Sequence, residues 1–167
     1  AAGDQVAAFA MIASLVAADP GGEGLPAAAT ALVAVARAAE SSGDEATARR
    51  ALELALSIVD WADLHLALGT LLVRDGESDA ARRHFDRALA INPRYRAAAV
   101  ERALLDARDG RVGDAMHALH TLTGGASGAD ESLDEGLARL REAAVEDAAP
   151  LLRRALTGGD EALEARL

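Results

Sequence analysis

Two histidines lie close together in the chain, and their type and spacing could place metal ligands on one helix face. His117 and His120 are three residues apart, and Asp114 precedes His117 by another three. Residues three and four apart are neighbours on a helix, and histidine and aspartate are common zinc ligands. No buried partner is evident to complete a ligand set. We therefore predict no metal site and no cofactor.

Residues for nucleophilic or phosphate-binding chemistry are largely missing. The chain has no cysteine and no lysine, which excludes a thiolate site, a cysteine nucleophile, a Schiff-base lysine and a P-loop lysine. Ser127 lies in a glycine-rich segment, but Ala129 stands where the G-x-S-x-G motif needs its second glycine. Because no nucleophile, base and orienting group can be assembled, we predict that the chain is not an enzyme.

Charge and composition narrow the class of protein further. The formal net charge of −10 argues against nucleic-acid binding, which needs a basic surface to neutralise phosphates. No apolar stretch reaches the roughly 20 residues of a bilayer span, so we expect no membrane partner. Apolar residues make up 51% of the chain, and most of them are alanine and leucine. The β-branched residues form no alternating run. This pattern predicts an all-α protein.

Four sets of positions recur in step along the chain, at spacings of 33 and then 34 residues. Each set holds one residue from each of three units. The sets are Gly43, Gly76 and Gly110; Ala48, Ala81 and Ala115; Leu52, Phe85 and Leu119; and Ala55, Ala88 and Leu122. The glycines are placed to end one helix and open a turn. We therefore predict three helical hairpins of similar construction.

The middle unit carries a family resemblance. It reads His65-x-x-Leu68-Gly69-x-x-Leu72, then Ala81-x-x-x-Phe85, Ala88 and Pro93. This resembles the tetratricopeptide repeat (TPR) pattern W-x₂-L-G-x₂-Y…A-x₃-F…P, with His65 and Leu72 in place of aromatic residues. The resemblance implies a right-handed α-solenoid in a single domain, 1–167. Its repeats would cover 29–61, 62–95 and 96–128, after an N-terminal helix and loop in 1–25.

The two ends of the chain are expected to be helical as well. An amphipathic helix is predicted over Gln5–Ala18, and the glycine-rich segment 124–128 is predicted to be a loop. Two helices near Glu131–Ala144 and Glu146–Leu156 would make a degenerate fourth hairpin within 129–167. Asp160 is typical of the N-cap of a short last helix.

The family resemblance also implies a binding surface, because the first helix of each TPR hairpin lines a groove. When the repeat register is applied to the first helix of each hairpin, it predicts a stripe of small aliphatic side chains with a row of arginines along one edge. The predicted groove residues are Val33, Arg37, Leu66, Thr70, Val73, Arg74, Val100, Glu101, Leu104 and Arg108. Two alternatives remain at this point: the arginines pair with the protein's own carboxylates, or other helices of the chain cover the stripe.

The function that these features favour is protein binding. We predict a non-catalytic module that holds a partner peptide or helix in the groove. The alternative is self-association, which would make the chain a homo-oligomer, or scaffolding within a larger protein or assembly. Since the chain begins at Ala1 rather than at a methionine, we expect a processed protein or a segment of a larger one. No signal peptide indicates its compartment.

Overall fold

The computed structural model describes residues 2–122, 131–142 and 144–157, and the regular secondary structure in these ranges is entirely α-helical. The helices are α1 (Ala2–Ala18), α2 (Leu25–Ser41), α3 (Glu45–Ile58), α4 (Ala62–Arg74), α5 (Ser78–Ile91), α6 (Arg96–Arg108), α7 (Val112–Leu122), α8 (Glu131–Arg141) and α9 (Val145–Thr157). The chain forms two compact units, residues 1–84 and 85–167. The division falls inside α5, and the single repeat domain stays a prediction.

The three repeated glycines adopt one backbone conformation. Their φ angles are 76°, 78° and 82° at Gly43, Gly76 and Gly110. An L-residue is strained in this region, whereas glycine adopts it freely and so commonly ends helices. A backbone hydrogen bond closes each turn, donated by the residue after the glycine to a carbonyl five residues earlier. The bonds run from Asp44 to Ala39 at 2.9 Å, from Glu77 to Leu72 at 2.8 Å and from Arg111 to Asp106 at 2.8 Å.

The unit of residues 1–84 packs α1 onto the hairpin of α2 and α3, and α4 onto α3. Small residues let these helices approach closely, since Ala36, Ala48 and Ala55 are at most 1% exposed. Gln5 ties α1 to the end of α2. Its Nε2 donates to the Ala38 carbonyl at 2.9 Å, and its Oε1 accepts from the Ser42 hydroxyl at 2.8 Å.

The unit of residues 85–167 contains the third hairpin, α6 and α7, and a hairpin of α8 and α9. Helix α6 packs against both α7 and α9. Leucines from these helices form one buried core, with Leu104, Leu119, Leu140 and Leu152 all fully buried.

The last hairpin is in register with the other three. Its turn carries the same backbone bond, from the Ala144 N–H to the Arg139 carbonyl at 3.0 Å. Ala144 follows Arg111 by 33 residues, and the two positions that correspond to Ala115 and Leu119 are Ala148 and Leu152, both fully buried. Helices α8 and α9 thus pack together where a fourth hairpin was predicted, with α8 ending at Arg141 rather than at Ala144. Their assignment as a degenerate repeat stays a prediction. The predicted loop at 124–128 and the helix capped by Asp160 lie outside the described residues.

Candidate partner-binding face

The predicted groove residues of the first two hairpins lie on α2 and α4. Val33, Leu66 and Val73 are half-buried, and Arg37 and Arg74 are exposed. These five residues and Thr70 are called the α2/α4 face below. The Thr70 hydroxyl donates to the Leu66 carbonyl at 2.9 Å, so its one donor is already used within its own helix. Three of the six residues are therefore partly exposed aliphatic side chains and two are exposed arginines. That they line one groove stays a prediction.

The two arginines of this face differ in their ionic partners. Arg74 Nη2 donates to Glu40 Oε1 at 3.1 Å, and Arg74 Nη1 lies 3.6 Å from Glu45 Oε1. No ion pair or side-chain hydrogen bond is formed by the Arg37 guanidinium with the residues that the structure describes. The alternative that the arginines pair with the protein's own carboxylates therefore holds for Arg74. It does not hold for Arg37 within the described part of the chain.

The equivalent positions of the third hairpin are covered by α9. Val100 and Leu104 are fully buried in the core that α6 shares with α9, whereas the corresponding Val33 and Arg37 are half-buried and exposed. For Val100 and Leu104 the structure therefore shows the covered alternative rather than an open groove. The physical reason is that α9 offers apolar side chains, including Ala149, for α6 to bury.

Two ion pairs flank this covered surface. Arg153 Nη2 donates to Glu101 Oε2 at 2.8 Å, and Arg108 Nε donates to Glu146 Oε1 at 3.1 Å. The hydrogen bond with Glu101 raises the pKa of the Arg153 guanidinium. Glu101 and Arg108, both predicted to line the groove, are thus engaged with the chain's own last described helix.

The histidines predicted not to bind a metal lie on the exposed side of α7. His117 and His120 are both exposed, as is Asp114. Among the described residues, no group of three or more histidine or acidic side chains is arranged to hold a metal ion. The absence of a metal and of catalysis both stay predictions.

Sequence reasoning missed a pair of histidines in the second hairpin. His65 Nδ1 and His84 Nδ1 are 2.8 Å apart, and His65 Nε2 lies 2.8 Å from Asp60 Oδ1. One imidazole must donate its proton to the other, so the two Nδ1 atoms cannot both be protonated while this bond exists. Burial lowers the pKa of His84, and the positive charge of neighbouring His65 and Arg83 lowers it further. The repeat pattern marked His65 as a packing position but gave no signal for His84.

A buried carboxylate was also missed. Asp106 is 6% exposed, and its Oδ1 accepts from Arg111 Nη2 at 2.8 Å and from Arg111 Nε at 3.0 Å. Arg102, one turn earlier on α6, forms a second ion pair with it. Arg102 and Asp106 both occupy positions of α6 where the repeat pattern has apolar residues. The structure shows that they form a charged cluster at the turn between α6 and α7.

Comparison with known proteins supports the fold that this geometry defines. No protein-family model matches the chain, and no curated protein sequence does. Two crystal structures of MamA are similar. One has 20% identity and a TM-score of 0.62 over 97% of this chain and 92% of that chain, and the other has 21% identity and 0.60 over 99% and 88%.

A crystal structure of YrrB, described as a TPR protein with an unusual peptide-binding site, has 22% identity and a TM-score of 0.60 over 90% of this chain and 79% of that chain. The chain therefore has a TPR-like fold. The predicted all-α class, with TPR-type hairpins and additional terminal helices, is confirmed. In the part of the chain that the structure describes, no helix is both long and apolar enough to span a bilayer.

Proposed function

We propose that this chain is a non-catalytic protein-interaction module that binds a segment of a partner protein on the α2/α4 face. The observation that carries the proposal is the Arg37 guanidinium, which is exposed and lacks an ionic partner among the described residues. It lies one helical turn from the half-buried Val33. A charged group beside apolar surface fits a partner with an apolar anchor and a carboxylate.

The chemistry of the expected segment follows from the side chains of this face. Val33, Leu66 and Val73 would accept aliphatic side chains, in either the helix-in-groove or the extended-peptide mode. Arginine grips carboxylates through paired, charge-assisted hydrogen bonds. Arg74 contributes less to recognition, because Glu40 already neutralises it at 3.1 Å. The partner segment should therefore carry aliphatic anchors and an acidic residue that reaches Arg37.

The likeness to YrrB supports the class of function, since that protein is described as having a peptide-binding site. The third hairpin is a poorer place for a partner while α9 covers Val100 and Leu104. We therefore restrict the proposed site to α2 and α4. The alternative of self-association predicts an oligomer, which the hydrodynamic size of the protein would reveal as a function of its concentration.

A display library of random 12-residue peptides tests the proposal. Selected peptides should share aliphatic anchors and at least one acidic residue. Arg37→Glu should weaken their binding by about tenfold or more, which corresponds to roughly 1.4 kcal/mol. Arg94→Glu is the matched control, because Arg94 is also exposed but lies in the turn before α6.

Two results would contradict the proposal. One is a library that yields no consensus above background. The other is a selected consensus whose binding Arg37→Glu and Arg94→Glu weaken equally, since the contribution of arginine would then be general attraction to the surface. Melting temperatures of both variants should match that of the wild type, as expected for exposed substitutions.

A further inference from the structure

Helix α1 exposes more large apolar surface than any other described helix. Met11 and Leu15 are each 64% exposed and Val6 is 48% exposed. Met11 and Leu15 are four residues apart, so they lie next to each other on one face of the helix, and Ala7 and Ala18 extend the same row. We call Ala7, Met11, Leu15 and Ala18 the α1 stripe. The opposite side of α1 is already in use, since Phe9 contacts the Arg50 guanidinium of α3.

A cavity adjoins the α1 stripe. It has a volume of about 430 Å³ and lies between the second half of α1 and the first half of α2. Its walls are almost entirely apolar and include Ile12, Leu15, Val16, Leu25 and Ala28. Leu15 belongs to both features, so the stripe and the cavity form one continuous apolar surface. A surface of this kind on a folded protein commonly marks an interaction site.

The charges around this surface indicate what would cover it. Residues 1–36 include three acidic side chains and no basic one. Asp19 lines the cavity, and Glu23 is exposed in the turn between Asp19 and α2. The last turn of α1 holds no basic residue, although the partial negative charge at a helix C-terminus favours a cation. Both the side chains and the helix end therefore attract positive charge.

We propose that the α1 stripe and its cavity dock an amphipathic helix of a partner protein. The apolar face of that helix would cover Met11 and Leu15 and insert a side chain into the cavity. Arginine or lysine residues at one end of it would meet Asp19 and Glu23. This surface is separate from the α2/α4 face, and neither proposal depends on the other.

Two other occupants fit the charges less well. In a symmetric dimer, a second copy would bring the same three acidic side chains of residues 1–36 against this surface, with no basic residue in that range to offset them. An anionic lipid surface would be repelled by Asp19 and Glu23 for the same reason. A partner helix with basic residues is the occupant that satisfies both the apolar and the charged groups.

Three synthetic 16-residue helical peptides test this docking. The first has leucines on one face and three arginines at one end, the second has glutamates in place of the arginines, and the third has serines in place of the leucines. Fluorescence anisotropy at about 100 mM salt limits long-range attraction. The arginine peptide should bind the wild-type protein at least about tenfold more tightly than either of the others.

Variants of the protein give the decisive comparison. Met11→Ser combined with Leu15→Ser should weaken binding of the arginine peptide about tenfold. The control Ile91→Ser should leave that binding unchanged, because Ile91 is also an exposed large apolar side chain, at 38%, but lies on α5. Asp19→Arg combined with Glu23→Arg should reverse the preference, so that the glutamate peptide binds more tightly. The four mutated positions of α1 and the following turn are exposed, so thermal melting should confirm that each double variant folds.

Several results would overturn the proposal. Equal binding of the serine peptide would mean that charge alone attracts the probe, and an equal loss in Ile91→Ser would mean that apolar contact is unspecific. Concentration-dependent dimers that Met11→Ser with Leu15→Ser abolishes would assign the surface to a second copy. Binding to phosphatidylglycerol vesicles, lost in that same double variant, would assign it to a membrane.

Discussion

Individual glycines and buried polar groups decide how closely the helices of this protein approach one another. Gly136 of α8 is buried, and a Cβ atom there would come within 2.8 Å of the Leu152 side chain of α9. Real Cβ atoms do not approach that closely, so either the Leu152 side chain would have to shift or α8 and α9 would have to separate. The role of Gly136 could not be predicted from the sequence, because its neighbours do not distinguish a glycine that permits helix contact from one that weakens a helix.

Gly136→Ala should lower the free energy of unfolding. Overpacking costs about 1–3 kcal/mol, and the better helix propensity of alanine offsets roughly 1 kcal/mol of that cost. The matched control is Gly113→Ala on α7, where a Cβ would meet nothing within 4 Å. That substitution should raise the free energy of unfolding by about 0.4–1 kcal/mol. Urea denaturation of both variants measures the difference. Equal stabilisation by the two alanines would show that α8 and α9 are not in close contact at Gly136.

The half-buried His84 should make stability depend on pH. Burial and the nearby charges of His65 and Arg83 lower the pKa of His84 in the folded protein, although Glu53 opposes them and Arg49 adds to them. The unfolded chain therefore takes up a proton at His84 at a higher pH than the folded protein does. Stability is fully present above the usual histidine pKa of about 6.5 and is lost as the pH falls below it.

The melting temperature should therefore fall as the pH is lowered from about 7.5 to 5.5. His84→Gln should reduce this slope, because glutamine does not titrate. His117→Gln is the control, since His117 is exposed on α7. If the slope is the same in wild type and His84→Gln, burial of the histidine pair does not contribute to the pH dependence.

At the scale of helices and turns, the sequence was informative wherever the repeat placed a glycine. The turns at Gly43, Gly76 and Gly110 could be predicted because each requires a positive φ and glycine adopts it without strain. The fourth turn, closed by the bond from Ala144 to Arg139, has no such glycine and was recognised only as a degenerate hairpin. Its register became evident from the burial of Ala148 and Leu152.

The covering of α6 by α9 could not be predicted from the sequence. An apolar stripe that binds a partner and one that packs against a helix of the same chain have the same composition. Val33, Leu66 and Val100 occupy equivalent repeat positions and are all aliphatic, yet only Val100 of the three is fully buried, because α9 packs against α6. The partners of Arg74 and Arg108 were equally uncertain, because many carboxylates were available in this acidic chain.

A charge exchange tests the contact between α6 and α9. Glu101→Arg should lower the free energy of unfolding by about 1 kcal/mol, a value that allows for screening of the partly exposed pair. Adding Arg153→Glu should restore most of that loss, because the ion pair is rebuilt in the opposite direction. Denaturation of the wild type, both single variants and the double variant gives the coupling energy. If the two single losses simply add, the pair does not stabilise the docking of α9.

At the scale of the whole molecule, the TPR-like fold could be predicted from the repeat. The repeat alone did not indicate which surface binds a partner. We propose two surfaces for partners. One is the α2/α4 face, where Arg37 has no ionic partner among the described residues, and the other is the α1 stripe, which has acidic side chains around it. They call for opposite chemistry. A partner of the first face should be acidic, and a partner of the second should be basic.

The measurement that tests the central claim most directly is a nuclear magnetic resonance titration of the isotope-labelled protein, at 17.1 kDa, with a peptide selected from the display library. Amide shifts should change around Val33, Arg37, Leu66 and Val73 as the peptide is added, and these changes should be lost in Arg37→Glu. Changes confined to other parts of the chain, or changes at these residues that persist in Arg37→Glu, would contradict the proposal that the α2/α4 face binds the partner through Arg37.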